Sequence, residues 1–410
     1  MGTSTKIFAA AFTVWVAYLI GTSPTGVTPP HIPTVGSPMA EVPPWPVFRI
    51  AVALNDFFKA AAEATTLPKV RVIELATARW HSEVIYALTK NDVFEAIRDE
   101  PLTCVAVAAN LKLNEPFTCR LLQAGVELDL LSADNGGKFT LTATSKQLLA
   151  GVEGSQRDFV TMINAPYNQQ AWGAISDGKA LKTGKSAFEA VHGESFWSYV
   201  TKRPKLEAEF GGAMTSFTAA AAASILSSYA FPPSGTICDV GGSEGGTLQL
   251  ILEHYPDAKG VVFDRPSVVK AAAKKFEAAG LGGRARTVGG DFLKAMPKEE
   301  LATCDVFLLK HILHDWSDAE SISILKNVAA AGRPGATVAI VEHVLGVSGP
   351  GMERAKAMMD LNMMVSNPPG AKERSVGEYD ALFAATGGLA APSTVYKMRD
   401  ILSLVESTIL

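Results

Sequence analysis

The stretch Ile237-Cys-Asp-Val-Gly-Gly-Ser-Glu-Gly-Gly-Thr-Leu-Gln-Leu-Ile-Leu252 constrains the fold more than any other part of the chain. An apolar run ends in Asp239, turns through Gly241, Gly242, Gly245 and Gly246, and leaves with Leu248, Ile251 and Leu252 on one helical face. Strand, glycine turn and helix, in that order, make a nucleotide-sized cleft at the carboxyl edge of an α/β sheet. Glycines let the backbone approach a ligand that a side chain would hold off. Gly260-Val-Val-Phe-Asp264 predicts a second strand, its terminal acid placed to accept hydrogen bonds from ribose hydroxyls. The pattern fits a nicotinamide, a flavin or S-adenosylmethionine, and its glycine spacing is not the pyrophosphate fingerprint G-x-G-x-x-G.

At 410 residues the chain is long enough for two domains, each with its own core. Its 37 basic and 41 acidic residues argue against nucleic-acid binding through bulk charge. Cys104, Cys119, Cys238 and Cys304 lack metal-ligand spacing and are expected to be buried free thiols of a reducing compartment. Residues 1–46 read as a segment apart. An uncharged run, Ile7 to Ile20, precedes a Pro/Thr/Gly/Ser stretch, Gly21 to Pro46, whose one charge is Glu41. The run is short for a spanning helix and has the length of a signal-peptide apolar region. No arginine precedes Arg49, which excludes an arginine-rich presequence. The expectation is an organelle-targeting or membrane-tethering segment, with membrane contact through residues 7–20.

From 47 to 150 apolar residues recur at helical spacing. Two segments, Pro101–Asn110 and Glu115–Ala124, form a helix-turn-helix pair. Leu128–Leu131 and Lys138–Thr142, joined through Asp134-Asn-Gly-Gly137, form a hairpin, giving a winged-helix pattern. Between Lys90 and Ala150 six basic residues face eight acidic ones, so the net charge is −2. A phosphate-tracking face is basic. This module is therefore expected to dimerise the chain and not to bind DNA. Residues 151–230 are a helical connecting region rich in large rings, among them Tyr167, Trp172, Phe188 and Phe196, which form either a substrate wall or core.

In the last segment, 231–410, Gly290-Asp291-Phe292 follows Asp264. Then come Asp305-Val-Phe-Leu-Leu-Lys310-His311-Ile-Leu-His314-Asp315-Trp316, a buried strand ending in Glu342, and a turn, Pro369-Gly-Ala-Lys-Glu373-Arg374. This ordered set resembles the plant-type and bacterial S-adenosylmethionine-dependent O-methyltransferases. Their patterns are D-V-G-G-G-x-G, F-D-L-P, G-D-F/M, L-K-x-x-x-H-D-W, an acid after the next strand, and P-G-G-x-E-R. The helical and winged segment resembles the family's dimerisation domain, and the likeness covers roughly residues 48–402. It departs at Ser243 and Ala371, each standing where the family has glycine.

The resemblance implies an α/β fold: a Rossmann-like class I methyltransferase sheet with an N-terminal α-helical winged-helix dimerisation domain. It implies a homodimer, S-adenosyl-L-methionine as cofactor, a small-molecule acceptor and no metal. Cofactor-binding residues would be Asp239, Gly241, Gly242, Gly245, Asp264, Asp291, Phe292 and Lys310. His314 would be the general base, oriented by Glu342 and Glu373, while His311 would face elsewhere. An imidazole of ordinary pKa, about 6.5, is neutral enough to take the proton of a hydroxyl. Methionines between Met352 and Met364 either line the acceptor pocket or fill core. Two alternatives to O-methylation remain. One is transfer to the sulfur of 4-methylthio-2-hydroxybutyrate, on the route to dimethylsulfoniopropionate. The other is a non-catalytic binder in which Ser243 blocks the cofactor.

Overall fold

This computed structural model describes residues 44–410 apart from 153 and 349. The chain divides into two compact units, one of residues 66–220 and 362–370, the other of the remainder.

In the first unit the helix-turn-helix is built from Cys104–Leu111 and Glu115–Glu127. Each starts on a side-chain cap: Thr103 accepts from the Ala106 amide and Asn114 from that of Phe117. Such caps contribute about 1 kcal/mol each. Strands β1 (Leu102–Thr103), β2 (Leu131–Ala133) and β3 (Lys138–Leu141) pair antiparallel in the order β1-β3-β2. The hairpin turn closes because Asp134 Oδ1 accepts from the Gly136 and Lys138 amides at 2.8 and 2.9 Å. Leu88, Phe94, Val107, Leu122 and Phe139 fill the core beneath this wing. Farther along, Phe188 packs edge-on against Phe196 and Tyr199, both at 5.3 Å, so these rings are core to one another.

The second unit carries seven strands. They are β4 (Thr236–Val240), β5 (Lys259–Asp264), β6 (Ala285–Gly289), β7 (Val306–Lys310), β8 (Thr337–Glu342), β9 (Thr394–Lys397) and β10 (Ser403–Thr408). Their order is β6-β5-β4-β7-β8-β10-β9. The first five are parallel, and β10 runs antiparallel to both β8 and β9. The central strands read as unbroken apolar runs because both faces are covered. Cys238, Val240, Phe263, Phe307, Leu309 and Ile340 belong to one core. Ile237, Val262, Leu308 and Val341, offset by one residue, belong to the other. Truncating Phe307 to alanine costs about 3–5 kcal/mol. The strand order reverses between β4 and β7, and ligands of open α/β sheets bind at such switch points, outside the carboxyl ends of the strands.

Two expectations need correction. The cysteines are not free: Cys104 is bonded to Cys119 and Cys238 to Cys304. Their Cα atoms lie 4.9 and 5.8 Å apart, within disulfide reach. One pair joins the two helices of the helix-turn-helix; the other joins β4 to the loop entering its neighbour β7. Separations of 15 and 66 residues hid both pairings, and the expected reducing compartment loses its basis. The organelle-targeted or membrane-tethered location is corrected as well. Among the described residues no helix is long and apolar enough to cross a membrane, and the run 7–20 lies outside them.

Candidate active site

The glycine turn follows β4. Gly241 and Gly245 adopt φ of +74° and +77°, the left-handed region. A Cβ on Gly241 would run into the Ile312 side chain, and one on Gly245 into the Phe276 ring. Ser243 shares this conformation at φ +53°. Its amide donates to Asp264 Oδ2 at 2.8 Å, and the Arg265 amide donates to Oδ1 at 2.6 Å. Asp264 is thereby fixed at the tip of β5, beside the turn. Asp291 and Phe292 follow β6, with the Phe292 ring edge-on to Trp316 at 5.8 Å. Asp239 sits one residue before the end of β4, and Lys310 ends β7. Burial pushes the Asp239 carboxyl up to about 7, with Lys310 opposing and Asp264 adding. Burial pulls the Lys310 ammonium down, with Asp239 opposing. A glycine-rich turn bordered by carboxylates at the carboxyl edge fits a cationic nucleoside cofactor.

The second half of the site is the turn after β7. Leu313–Asp315 is a short 3-10 turn anchored by the acid that ends β8. Glu342 Oε1 accepts from the consecutive amides of Ile312, Leu313 and His314, at 3.1, 2.7 and 3.2 Å. The Tyr379 hydroxyl donates to Oε2 at 2.5 Å. Glu342 therefore holds the backbone of this turn rather than the His314 ring. Glu373 meets that ring, its Oε1 lying 2.9 Å from His314 Nδ1. The same oxygen lies 3.2 Å from Nδ1 of His343. His311 does not face elsewhere: its ring centre lies 5.2 Å from those of both His314 and His343.

Arg374 ties the two turns together. Fully buried, it donates to the carbonyls of Leu313 and Trp316 at 2.7 and 2.8 Å and to Asp318 at 3.0 Å. The Lys372 amide donates to the His314 carbonyl at 3.0 Å. Each turn then enters a helix through an S-x-x-E capping box, Ser317 with Glu320 and Ser375 with Glu378.

These contacts set the charge. Burial alone would lower the His314 pKa, but Glu373, Asp315 and Glu342 outweigh it and push it up to about 10. Burial would raise Glu373, but His314 and His343 hold it down at about 2. The contacts thus favour the charged form of both partners, a departure from the ordinary pKa expected of His314. Burial and the charge of Lys310 hold His311 well below its usual value, with His314 and His343 acting in the same direction.

Residues 172–388 match the family profile of the O-methyltransferase domain, and residues 73–151 that of the O-methyltransferase dimerisation domain. The chain belongs to this O-methyltransferase family. Its members use S-adenosylmethionine, and this chain is an enzyme of that kind. It is 32% identical over 338 residues to the phenazine O-methyltransferase PhzM of Lysobacter antibioticus, covering 82% of this chain and 95% of that one. Among solved structures, LaPhzM is similar at 31% identity with a TM-score of 0.76, covering 84% of this chain and all of that one. NcsB1 of neocarzinostatin biosynthesis, solved with S-adenosylmethionine and 2-hydroxy-5-methyl naphthoic acid, is similar at 28% identity with a TM-score of 0.65. That likeness covers 80% of this chain and 96% of NcsB1.

Within this O-methyltransferase, sequence reasoning missed His343, Arg374 and Tyr379 as parts of the site and misplaced His311. The S-x-x-E signatures at Ser317 and Ser375 signalled two fixed helix starts beside the motif residues. No sequence pattern signalled that His343, one residue past the end of β8, would meet Glu373.

Proposed function

We propose that this O-methyltransferase methylates a hydroxyl of a small aromatic molecule, with His314 as general base. The observation that carries the reading is the 2.9 Å contact between His314 Nδ1 and Glu373 Oε1, on a turn at the same sheet edge as the glycine cradle. S-adenosylmethionine, when bound, supplies a methyl group already electrophilic on a sulfonium. The chain's own work is to hold that cofactor, align an acceptor oxygen and remove its proton. Gly241, Gly242 and Gly245 give the close backbone approach, Asp264 accepts from the ribose, and Asp291 and Phe292 flank the adenine. Asp239 and Lys310 lie beneath this region.

Glu373 fixes Nδ1 of His314 as the protonated nitrogen, so Nε2 faces the acceptor and takes its proton. The carboxylate stabilises the imidazolium that results. Glu342 acts through the backbone, holding amides 312–314 in register. An aromatic acceptor is supported by the relatives, one a phenazine enzyme and another solved with a hydroxynaphthoic acid. The dimerisation domain supports a homodimer.

The test is transfer of labelled methyl from S-adenosylmethionine to a panel of phenols, hydroxyphenazines and hydroxynaphthoates, by wild type and by His314→Ala. Turnover with at least one acceptor, lost in the variant, is expected. Near-normal kcat in His314→Ala would overturn the role of the base and point to an acceptor with no proton to lose, such as a thioether.

A further inference from the structure

His311, His314, His343 and Glu373 form a donor set that methyl transfer to a hydroxyl does not need in full. One ring nitrogen from each of the three histidines lies within 4.8 Å of those of the other two. Ring centres are 5.2, 5.2 and 6.4 Å apart. Imidazoles sharing one ion at a metal–nitrogen distance of about 2.0 Å have centres roughly 5–6 Å apart. Glu373 Oε1 stands 2.9 and 3.2 Å from Nδ1 of His314 and of His343, hydrogen-bond distances, as a carboxylate does when it orients metal-binding imidazoles. Two further donor atoms, Nδ1 of His311 and Oε2 of Glu373, are buried with no hydrogen-bond partner among the described residues. Orphaned buried lone pairs are costly and call for an explanation.

We propose that His311, His314 and His343, two of them oriented by the Glu373 carboxylate, form a binding site for one divalent transition-metal ion of the zinc class. Three imidazoles are a donor set that suits Zn2+, with an oxygen of solvent or solute as the fourth ligand. The ion takes one ring nitrogen of each histidine, while Glu373 keeps its contacts to Nδ1 of His314 and His343. Because His314 is one ligand, the bound ion removes the lone pair that the proposed base needs. The site is therefore inhibitory, and ion and acceptor exclude each other. This last consequence rests on the proposed function; the binding itself does not.

The experiment uses the full chain, stripped with a chelator, and Zn2+ as the probe. Calorimetry against a competing chelator is expected to give one ion per chain. X-ray absorption at the zinc edge is expected to show three imidazole ligands and an oxygen at about 2.0 Å. His311→Ala and His343→Ala are each expected to weaken binding by tenfold or more. No saturable binding in the wild type, or a spectrum without imidazole, overturns the site. So does undiminished affinity in both variants, which would mark an adventitious ion only. Should either variant fail to fold, the wild-type spectrum decides. Stoichiometric Zn2+ is further expected to abolish methyl transfer, with recovery on chelation. Binding without any detectable methyl transfer would leave the metal site standing and remove the proposed function.

Discussion

The guanidinium of Arg374 donates to the carbonyl of Leu313 at 2.7 Å, and this bond ties the turn carrying Glu373 to the turn carrying His314. Three acceptors converge on Arg374, and a lysine ammonium is a point charge that cannot reproduce the planar fork. Arg374→Lys is expected to lower kcat by about tenfold while cofactor affinity stays within a few-fold. Arg374→Ala leaves buried carbonyls without donors and is expected to cost about 2–5 kcal/mol of stability, read as a fall in Tm.

Glu342 and Glu373 separate in experiment because they hold different things. His314→Ala is expected to lower kcat by about 10²- to 10⁴-fold with unchanged cofactor affinity. Glu373→Gln keeps the fold and gives a smaller loss of kcat, read on the alkaline plateau, since only the partner of the ring is altered. Glu342→Ala strands three amides and the Tyr379 hydroxyl. It is expected to lower Tm more than either of the others, a contrast that thermal melts of the three variants will read directly.

The pH dependence follows from the His314 pKa, raised to about 10. Below that value the ring carries its proton and cannot accept another. The rate for a hydroxyl acceptor is therefore expected to rise with pH, by up to about tenfold per unit, toward a plateau near or below 10, since a bound sulfonium repels the imidazolium. In Glu373→Gln the rising limb is expected to move to lower pH, because the acid that stabilises the charge is gone. A limb set by the acceptor's own ionisation would not move.

The same pair has a stability signature. His314 has its pKa raised from 6.5 in the folded state, so its contribution is fully present below about 6.5 and is lost as pH rises through about 10. Glu373 is lowered from 4.5 to about 2, so its contribution is present above about 4.5 and is lost as pH falls through about 2. Tm measured from pH 6 to 10.5 is expected to fall more steeply at the alkaline end in the wild type than in His314→Ala.

Ser243 occupies a conformation that glycine adopts more easily, at φ +53°. Its contact with Asp264 is made by the backbone amide and survives any side-chain change. Ser243→Gly is expected to raise stability by up to about 1 kcal/mol and to leave S-adenosylmethionine affinity within a few-fold. Asp264→Ala is expected to weaken it at least tenfold. Calorimetry on both variants tests the pair, and equal affinity in Asp264→Ala and the wild type would remove Asp264 from the site.

Much of the fold was legible because its signals are local. Alternation of apolar runs with glycine turns marks β4 and β5, and helical spacing with a glycine hairpin marks the wing. The order of motifs carried the family. What escaped notice depends on long-range contact. Nothing in the spacing of Cys238 and Cys304 says that β4 and the loop entering β7 bring them together. Nothing local says that Glu373 will turn one oxygen to both His314 and His343, or that Glu342 will spend its charge on amides. The ordinary pKa first assigned to His314 failed for the same reason, since its neighbours Glu342 and Glu373 come from a strand end and a turn 28 and 59 residues away.

The three amides that grip Glu342 are backbone groups, indifferent to the side chains that follow them. A single codon change at position 314 can thus exchange the imidazole for another group while the turn keeps its shape. The acid that anchors the turn has no such freedom. A lineage built on this scaffold can drift from one chemistry to another, or into silence, without first having to refold.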